Sequence, residues 1–245
     1  MSTEIDSLWD YNDPTGSEAR FRAALLAAAE PHLELLTQIA RAQGLQGHFD
    51  DAHRTLDEVE PGLAGAPPRA RIRYLLERGR VSNSAGDPDQ ARPFFAEAFA
   101  LAAADPAETF YAIDAAHMLA IVAPADEAPE WNLRALALAE AATDERARGW
   151  RGSLLNNLGW TYHEVGDFPA ALDYLERALA VRRERGTAED MRVARWCVAR
   201  VWRDLGRVAE ALAEQQALSA EYAALGQSSR YVEEEIDECT RRISN

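Results

Sequence analysis

The sequence predicts an all-α fold in which about five helix pairs follow one another, with flanking helices at both ends. Two observations predict it. The composition is 47% hydrophobic with only 14 glycines and 11 prolines in 245 residues, which favours helix over strand. A degenerate repeat also runs along the chain, clearest over residues 156–186, and its copies surround turns near Gly47, Gly86, Ala123, Gly166 and Gly206.

Small residues recur at fixed distances from each turn. The fifth residue after the turn is always alanine, and the seventh residue before it is alanine or glycine. Such residues let two helices approach closely, and the turn residue permits a tight connection between them. The small residues before the turns are Ala40, Gly79, Ala116, Gly159 and Ala199, and the alanines after them are Ala52, Ala91, Ala128, Ala171 and Ala211.

This pattern resembles the tetratricopeptide repeat family over roughly residues 33–220. Successive turns are 37 to 43 residues apart, whereas the usual repeat has about 34. The longer spacing and the opening Asn156–Asn157–Leu158 resemble the kinesin-light-chain type of repeat, and bacterial peptide-pheromone receptors also use longer repeats. The resemblance implies a right-handed superhelical solenoid.

The flanking segments extend this organisation. Residues 1–16 are predicted to form an acidic N-terminal segment, and residues 17–243 a single repeat domain. Residues 17–29 are expected to form a leading helix with Ser17 as its N-cap. Residues 229–243 are expected to form a closing helix whose acidic face caps the stack. The pair Pro67–Pro68 predicts a long loop between the first two repeats.

The charge of the chain, its lack of lysine and long apolar runs, and its acidic N-terminus argue against several classes of function. The net charge is −15, from 41 acidic and 26 basic residues, so binding to nucleic acid is disfavoured. Every basic residue is arginine, which excludes chemistry that requires lysine. The absence of an apolar run of about 20 residues predicts no membrane segment. The acidic start resembles no signal peptide, so we expect a cytoplasmic protein.

The sequence contains no recognisable catalytic or cofactor motif. The run from His163 to Asp167 lacks the second histidine of a zinc-binding HExxH motif, and Cys197 and Cys239 have no metal-ligand spacing. We therefore expect no catalytic residue, no metal and no cofactor. The alternative is an atypical enzyme in which Glu77, Asp114 and His117 form a general acid/base group.

The resemblance implies that the first helix of each pair, here called helix A, lines the concave face. The residues that it places there lie on one broad helical stripe. Position 9 of successive A helices reads Arg41, Arg80, His117, Trp160 and Arg200. The predicted ligand-binding residues are Arg73, Glu77, Arg80, Asp114, His117, Asn156, Asn157, Trp160, His163, Trp196, Arg200 and Arg203.

Arginines beside indoles suit a carboxylate or a peptide, because guanidinium binds oxygens bidentately and indole offers apolar area and cation–π contact. We expect a non-enzymatic protein that recognises a peptide or protein segment in its groove. The alternatives are a carboxylate-type small-molecule sensor in the same groove and a self-associating scaffold, which would form homo-oligomers. Each of these residues could instead have a structural role. The arginines could form ion pairs between helices, and Trp160, Trp196 and His117 could pack between repeats. His163 could lie at an exposed helix end, and Asn157 could bond to a neighbouring helix.

Overall fold

The computed structural model describes residues 2–28 and 32–244, which form helices joined by turns and no strand within those ranges. Two short 3₁₀ helices span Glu60–Gly65 and Pro106–Glu108. The α-helices are α1 (Ser2–Asp6), α2 (Pro14–Ala27), α3 (Leu33–Leu45), α4 (Phe49–Val59), α5 (Pro68–Ser84), α6 (Pro88–Ala103), α7 (Thr109–Val122), α8 (Ala128–Ala141), α9 (Glu145–Arg148), α10 (Arg151–Glu164), α11 (Phe168–Arg185), α12 (Ala188–Asp204), α13 (Val208–Ala224) and α14 (Arg230–Ser244).

The chain divides into two compact units, with the boundary between Ala147 and Arg148. The first unit contains the helix pairs α3/α4, α5/α6 and α7/α8, and the second contains α10/α11 and α12/α13. The predicted all-α fold with five helix pairs is therefore confirmed. The A helices are α3, α5, α7, α10 and α12.

Glycine in a left-handed conformation makes four of the five predicted turns. The backbone φ angles of Gly47, Gly86, Gly166 and Gly206 lie between 78° and 94°, a region that residues with a Cβ atom rarely adopt. In two turns, the aspartate after the glycine caps the next helix: Asp87 accepts a bond from the Gln90 amide, and Asp167 accepts one from the Ala170 amide.

The turn near Ala123 differs from this prediction. Ala123 has an extended conformation with φ −76°, and α7 ends at Val122. A loop then leads to Ala128, which is half-buried, whereas the equivalent alanine Ala171 is fully buried. Alanine lacks the conformational freedom of glycine, so this pair uses a longer connection.

The flanking helices are present, with one correction at the N-terminus. The leading helix α2 begins at Pro14 and is capped by Asp13, not by Ser17. Ser17 is fully buried, and its hydroxyl bonds to the backbone of Asp10. Residue 29, the predicted end of this helix, lies outside the described residues. The predicted loop at Pro67–Pro68 is largely the 3₁₀ helix Glu60–Gly65, and Pro68 begins α5.

The core of each unit lies between the helices of a pair and the next pair. Phe95 of α6 packs against Gly79 of α5, and Leu175 of α11 packs against Gly159 of α10. Both side chains are almost fully buried. The predicted small residues on the A helices therefore mark real points of close helix approach. This packing leaves the opposite side of each A helix for polar residues.

Candidate functional site on the A helices

The predicted site residues fall into one set in each unit. The first unit carries Arg73, Glu77 and Arg80 on α5 and Asp114 and His117 on α7. The second unit carries Asn156, Asn157, Trp160 and His163 on α10 and Trp196, Arg200 and Arg203 on α12.

In the first unit, the predicted charges neutralise one another. Nη1 of Arg80 lies 2.6 Å from Oε1 of Glu77, and its Nη2 pairs with Asp114 of α7. Nη1 of Arg41 on α3 also contacts Glu77, at 3.2 Å. Two arginines thus meet two carboxylates across three A helices, so the ion pairing left open as an alternative for Arg80 is what the structure shows.

The neighbouring arginine charges outweigh burial and keep Asp114 ionised. Burial alone would raise the pKa of Asp114, but the charges of Arg80 and Arg41 bring it below its ordinary value. Burial lowers the pKa of His117, and the Arg80 charge adds to that effect. Asp114 is therefore an anion and His117 is neutral near pH 7, which does not suit Asp114 as a general acid.

A small cleft of about 140 Å³ lies beside this cluster, lined by Arg41, Glu77, Arg80 and the apolar Val81 and Met118. Oε2 of Glu77 has no hydrogen-bond partner within the described parts of the chain, although the side chain is only 3% exposed. A buried carboxylate oxygen without a donor is costly. Glu77 is therefore held through Oε1, by Arg41 and Arg80.

In the second unit, an arginine lies against two tryptophans. The Arg200 guanidinium carbon is 5.3 Å from the ring centroid of Trp160 and 5.5 Å from that of Trp196. The two indoles are 5.9 Å apart. The Trp196 indole N–H donates to the carbonyl of Tyr231 on α14, which fixes its ring. The structure thus brings together the three predicted residues that combine cation and aromatic area.

Arg200 is less engaged than the other predicted arginines. Its Nε lies 3.7 Å from Oε1 of Glu235 and has no hydrogen-bond partner among the residues that the structure describes. Glu235 is bound more closely by Arg203, whose Nη1 lies 2.7 Å from Oε2. The Arg200 side chain is 36% exposed. Its guanidinium can therefore accept an oxyanion from outside the chain.

His163 and Arg203 bind one carboxylate next to the arginine and tryptophans, and the His163 ring centroid lies 5.2 Å from that of Trp160. Nε2 of His163 lies 2.9 Å from Oδ2 of Asp204, and Nε of Arg203 lies 3.1 Å from Oδ1 of that carboxylate. Burial would raise the pKa of Asp204, but its bonds from Arg203 and His163 lower it below the ordinary value. Burial raises the pKa of Glu235. These contacts tie α10, α12 and α14 together, which is the alternative role left open for Arg203.

Asn156 and Asn157 line a second cleft, of about 270 Å³, at the start of α10 and α12. Ser153, Glu189 and Asp190 also line it. Oδ1 of Asn156 lies 3.6 Å from the Cys197 sulfur. Burial raises the pKa of the Cys197 thiol to about 11, so this cysteine is a poor nucleophile near pH 7. The cleft offers amide and carboxylate groups for hydrogen bonding.

The sequence interpretation missed the N-terminal segment as part of the first-unit site. Asp6 pairs with the predicted groove residue Arg73, and Arg41 lies over the rings of Trp9 and Tyr11. The available signal was the alternation of acidic and aromatic residues in LWDYND, opposite in charge to the arginine-bearing helices. Composition described this segment as acidic but gave no contact.

Residues 2–28 and 32–244 contain no group of three or more histidine, cysteine, aspartate or glutamate side chains arranged to hold a metal ion. No helix described by the structure is both long and apolar enough to cross a bilayer. Cys197 and Cys239 are both buried and unpaired.

Comparison with known proteins supports the repeat assignment. Residues 105–184 match the tetratricopeptide repeat family. No curated protein matches the chain by sequence. Solved structures match its fold: BtubC (BKLC) from P. vanneervenii has a TM-score of 0.69 and 17% identity, over 89% of this chain and 92% of that one.

Two further structures share the fold. A putative kinesin light chain from Podosopora anserina, with nearly identical tetratricopeptide-like repeats, has a TM-score of 0.64 and 18% identity, over 81% of this chain and 100% of that one. A Rap protein complexed with Competence and Sporulation Factor has a TM-score of 0.63 and 14% identity, over 96% of this chain and 70% of that one. The predicted resemblance to tetratricopeptide repeat proteins, including kinesin-light-chain-like ones, is confirmed.

Proposed function

We propose that the protein is a non-enzymatic binding protein that recognises a peptide or protein segment on the faces of its A helices. The observation that carries this proposal is Arg200, which packs on Trp160 and Trp196, is 36% exposed, and has no hydrogen-bond partner for its Nε among the described residues. A cation on two indoles presents charge and apolar area together, which suits an acidic group next to an apolar side chain.

The size of the clefts favours a segment over an enclosed small molecule. The clefts on the A-helix faces measure about 140 and 270 Å³, whereas small-molecule sites usually enclose about 300–1,000 Å³. Asn156 and Asn157 lie in the larger cleft, where amide groups can bind the backbone of an extended ligand. The Rap protein in complex with Competence and Sporulation Factor is a precedent for a bound partner on this fold.

We also propose a cytoplasmic location. The support for it is that Cys197 and Cys239 are both unpaired, since reducing compartments keep thiols free. A homo-oligomeric scaffold remains the alternative. An oligomer that forms without any ligand, with an interface on the helices opposite the A face, would support that alternative.

The test begins with a random peptide library displayed on phage, selected against the full-length protein. Peptides that bind are then titrated by calorimetry against wild type, Arg200→Ala, Trp160→Ala and the control Arg183→Ala. Arg183 is a suitable control because it is an exposed arginine on α11 that lines a different cleft, of about 400 Å³. Removing a charged hydrogen bond costs about 1.5–3 kcal/mol, which is roughly a 10- to 150-fold loss of affinity.

We expect that loss for Arg200→Ala and Trp160→Ala and less than a threefold change for Arg183→Ala. Equal affinities for all four proteins would show that the A-helix face of the second unit is not the binding site. A loss confined to Arg183→Ala would move the site to the cleft on the other side of α11. Failure to select any peptide above background would contradict recognition of peptide segments.

A further inference from the structure

The segment before α2 lies on the A helices of the first unit, where a ligand would bind. Ile5 is only 6% exposed and packs with Phe21, Leu35 and Ile39. The Trp9 indole N–H donates to Oε1 of Gln38 on α3, at 2.9 Å. The segment is thus docked by specific contacts.

A carboxylate of this segment is held between two arginines. Oδ1 of Asp6 lies 2.9 Å from Nη2 of Arg73, and its Oδ2 lies 2.8 Å from Nη1 of Arg146. Arg73 is only 2% exposed, and the Arg146 guanidinium carbon lies 3.5 Å from the ring centroid of Phe110. A buried arginine requires anionic partners. Nε of Arg73 also lies 3.1 Å from Oε2 of Glu34 on α3, so Asp6 is one of two carboxylates that pair with this arginine. Arg73 and Arg146 therefore form a carboxylate site that Asp6 occupies beside Glu34.

The aromatic residues of the segment occupy a second site on α3. The rings of Trp9 and Tyr11 stack with centroids 4.8 Å apart and an interplanar angle of 3°. The Arg41 guanidinium carbon lies 5.9 Å from the first centroid and 5.6 Å from the second. Arg41 also reaches Glu77, which lines the 140 Å³ cleft. The aromatic contact thus ends beside an open cleft.

We propose that residues 4–11 are an intramolecular ligand, and that the face formed by α3, α5 and α7, together with Arg146 of α9, binds partner segments of the same chemistry. Such a segment carries a carboxylate followed, three and five residues later, by aromatic side chains, as Asp6, Trp9 and Tyr11 do here. The carboxylate binds Arg73 and Arg146, and the aromatic pair binds Arg41. This inference rests on the proposed function for the A-helix face as a binding surface, but it concerns different residues in the other unit.

The bound segment is short and has an exposed end. Tyr11 is 59% exposed although it stacks on Trp9. A tethered ligand acts at an effective concentration in the millimolar range. A free peptide that makes the same contacts must compete with it, so the wild-type protein binds such a peptide weakly.

The test uses a fluorescein-labelled peptide of residues 2–14 and measures its anisotropy with the full-length protein. The variant Asp6→Asn/Trp9→Ala weakens the tethered copy at both anchors and changes no residue of α2 to α14. We expect this variant to bind the peptide at least about tenfold more tightly than wild type does. The matched control is Asp10→Asn, because the Asp10 carboxylate is exposed and bonds only within its own segment; it should bind like wild type.

Three results would overturn the proposal. The first is equal affinity of the double variant and wild type for the peptide. The second is equal affinity of the double variant for a peptide that has asparagine and alanine at the positions of Asp6 and Trp9. The third is unchanged binding after Arg146→Gln is added to the double variant. The peptide of residues 2–14 is also titrated against the Arg200→Ala protein. If that protein binds this peptide normally but loses affinity for the peptides selected by phage display, the two sites are independent. The proposal for the first unit and the proposed function can then fail separately.

A second measurement needs no substitution. Deuterium uptake of residues 4–11 in the wild-type protein is compared with and without an excess of the same peptide made from heavy isotopes. Displacement raises this uptake, because the tethered segment loses its contacts. Uptake that stays the same at saturating peptide would show that the segment is a fixed part of the fold.

Discussion

Replacing Gly159 by alanine tests the close helix contact on which the repeat depends. A Cβ atom at this position would lie 2.5 Å from Cγ and 2.7 Å from Cδ2 of Leu175, and 3.3 Å from the carbonyl oxygen of Ala171. Carbon atoms pack well at about 3.5–4.0 Å, so α10 and α11 would have to separate by about 1 Å. Leu175 is 1% exposed, so its displacement would disturb the surrounding core.

Two effects of opposite sign determine the result. Overpacking a tight core costs about 1–3 kcal/mol, while alanine in place of glycine stabilises a helix by up to about 1 kcal/mol. We expect Gly159→Ala to lower the free energy of unfolding by about 1–2 kcal/mol. Gly159→Leu should lower the free energy of unfolding further, because the larger side chain would overlap the same atoms of Leu175 and Ala171.

The assay is urea denaturation followed by circular dichroism, with linear extrapolation to water. Gly44→Ala is the matched control, because its Cβ would meet only Cγ2 of Val81, at an ordinary contact distance of 3.5 Å. That variant keeps the helix-propensity gain and should be as stable as wild type or slightly more stable. If Gly159→Ala behaves like Gly44→Ala, the predicted register of the repeat is wrong at the helix pair α10/α11.

Two further predictions concern the charged cluster of the first unit. Arg80→Met leaves the buried Asp114 without its closest cation and should lower the free energy of unfolding by about 3 kcal/mol or more. The control Arg183→Met should change it by less than about 0.5 kcal/mol. Similar urea midpoints for the two variants would contradict the structural role of the cluster. Burial lowers the pKa of His117 below its ordinary value. The neutral imidazole therefore contributes stability at any pH above that ordinary pKa, and this contribution is lost as the pH falls through the folded-state pKa. The melting temperature of His117→Gln should therefore decline less than that of wild type between pH 7.5 and 5.5, and parallel declines would show that His117 does not contribute.

The fold was predictable because its determinants are local. The glycines of four turns have left-handed φ angles, and Gly79 and Gly159 lie where the sequence placed close helix contacts. The prediction failed at the third turn, where the residue in the turn position is not a glycine and cannot readily adopt the left-handed conformation. Ala123 stands where the other copies have glycine, and without a left-handed turn the connection is longer.

The N-terminal segment shows the second kind of limit. The sequence identified its acidity but not its docking, because Asp6 and Arg73 are 67 residues apart. No local rule relates two such positions, and the segment lies outside the repeat, so periodicity supplies no register for it. Its contacts depend on which A-helix residues are left uncovered after the pairs have packed.

Arg80 and Arg200 show why equal repeat positions need not share a role. Both occupy position 9 of an A helix, and the sequence interpretation treated them alike. Arg80 faces Asp114 on the next A helix and forms a buried ion pair with it. Arg200 instead faces two indoles, and its nearest carboxylate, on Glu235, is bound more closely by Arg203. The availability of a repeat arginine for a ligand is therefore decided by the residues of the neighbouring helix, and in the second unit those residues leave Arg200 available.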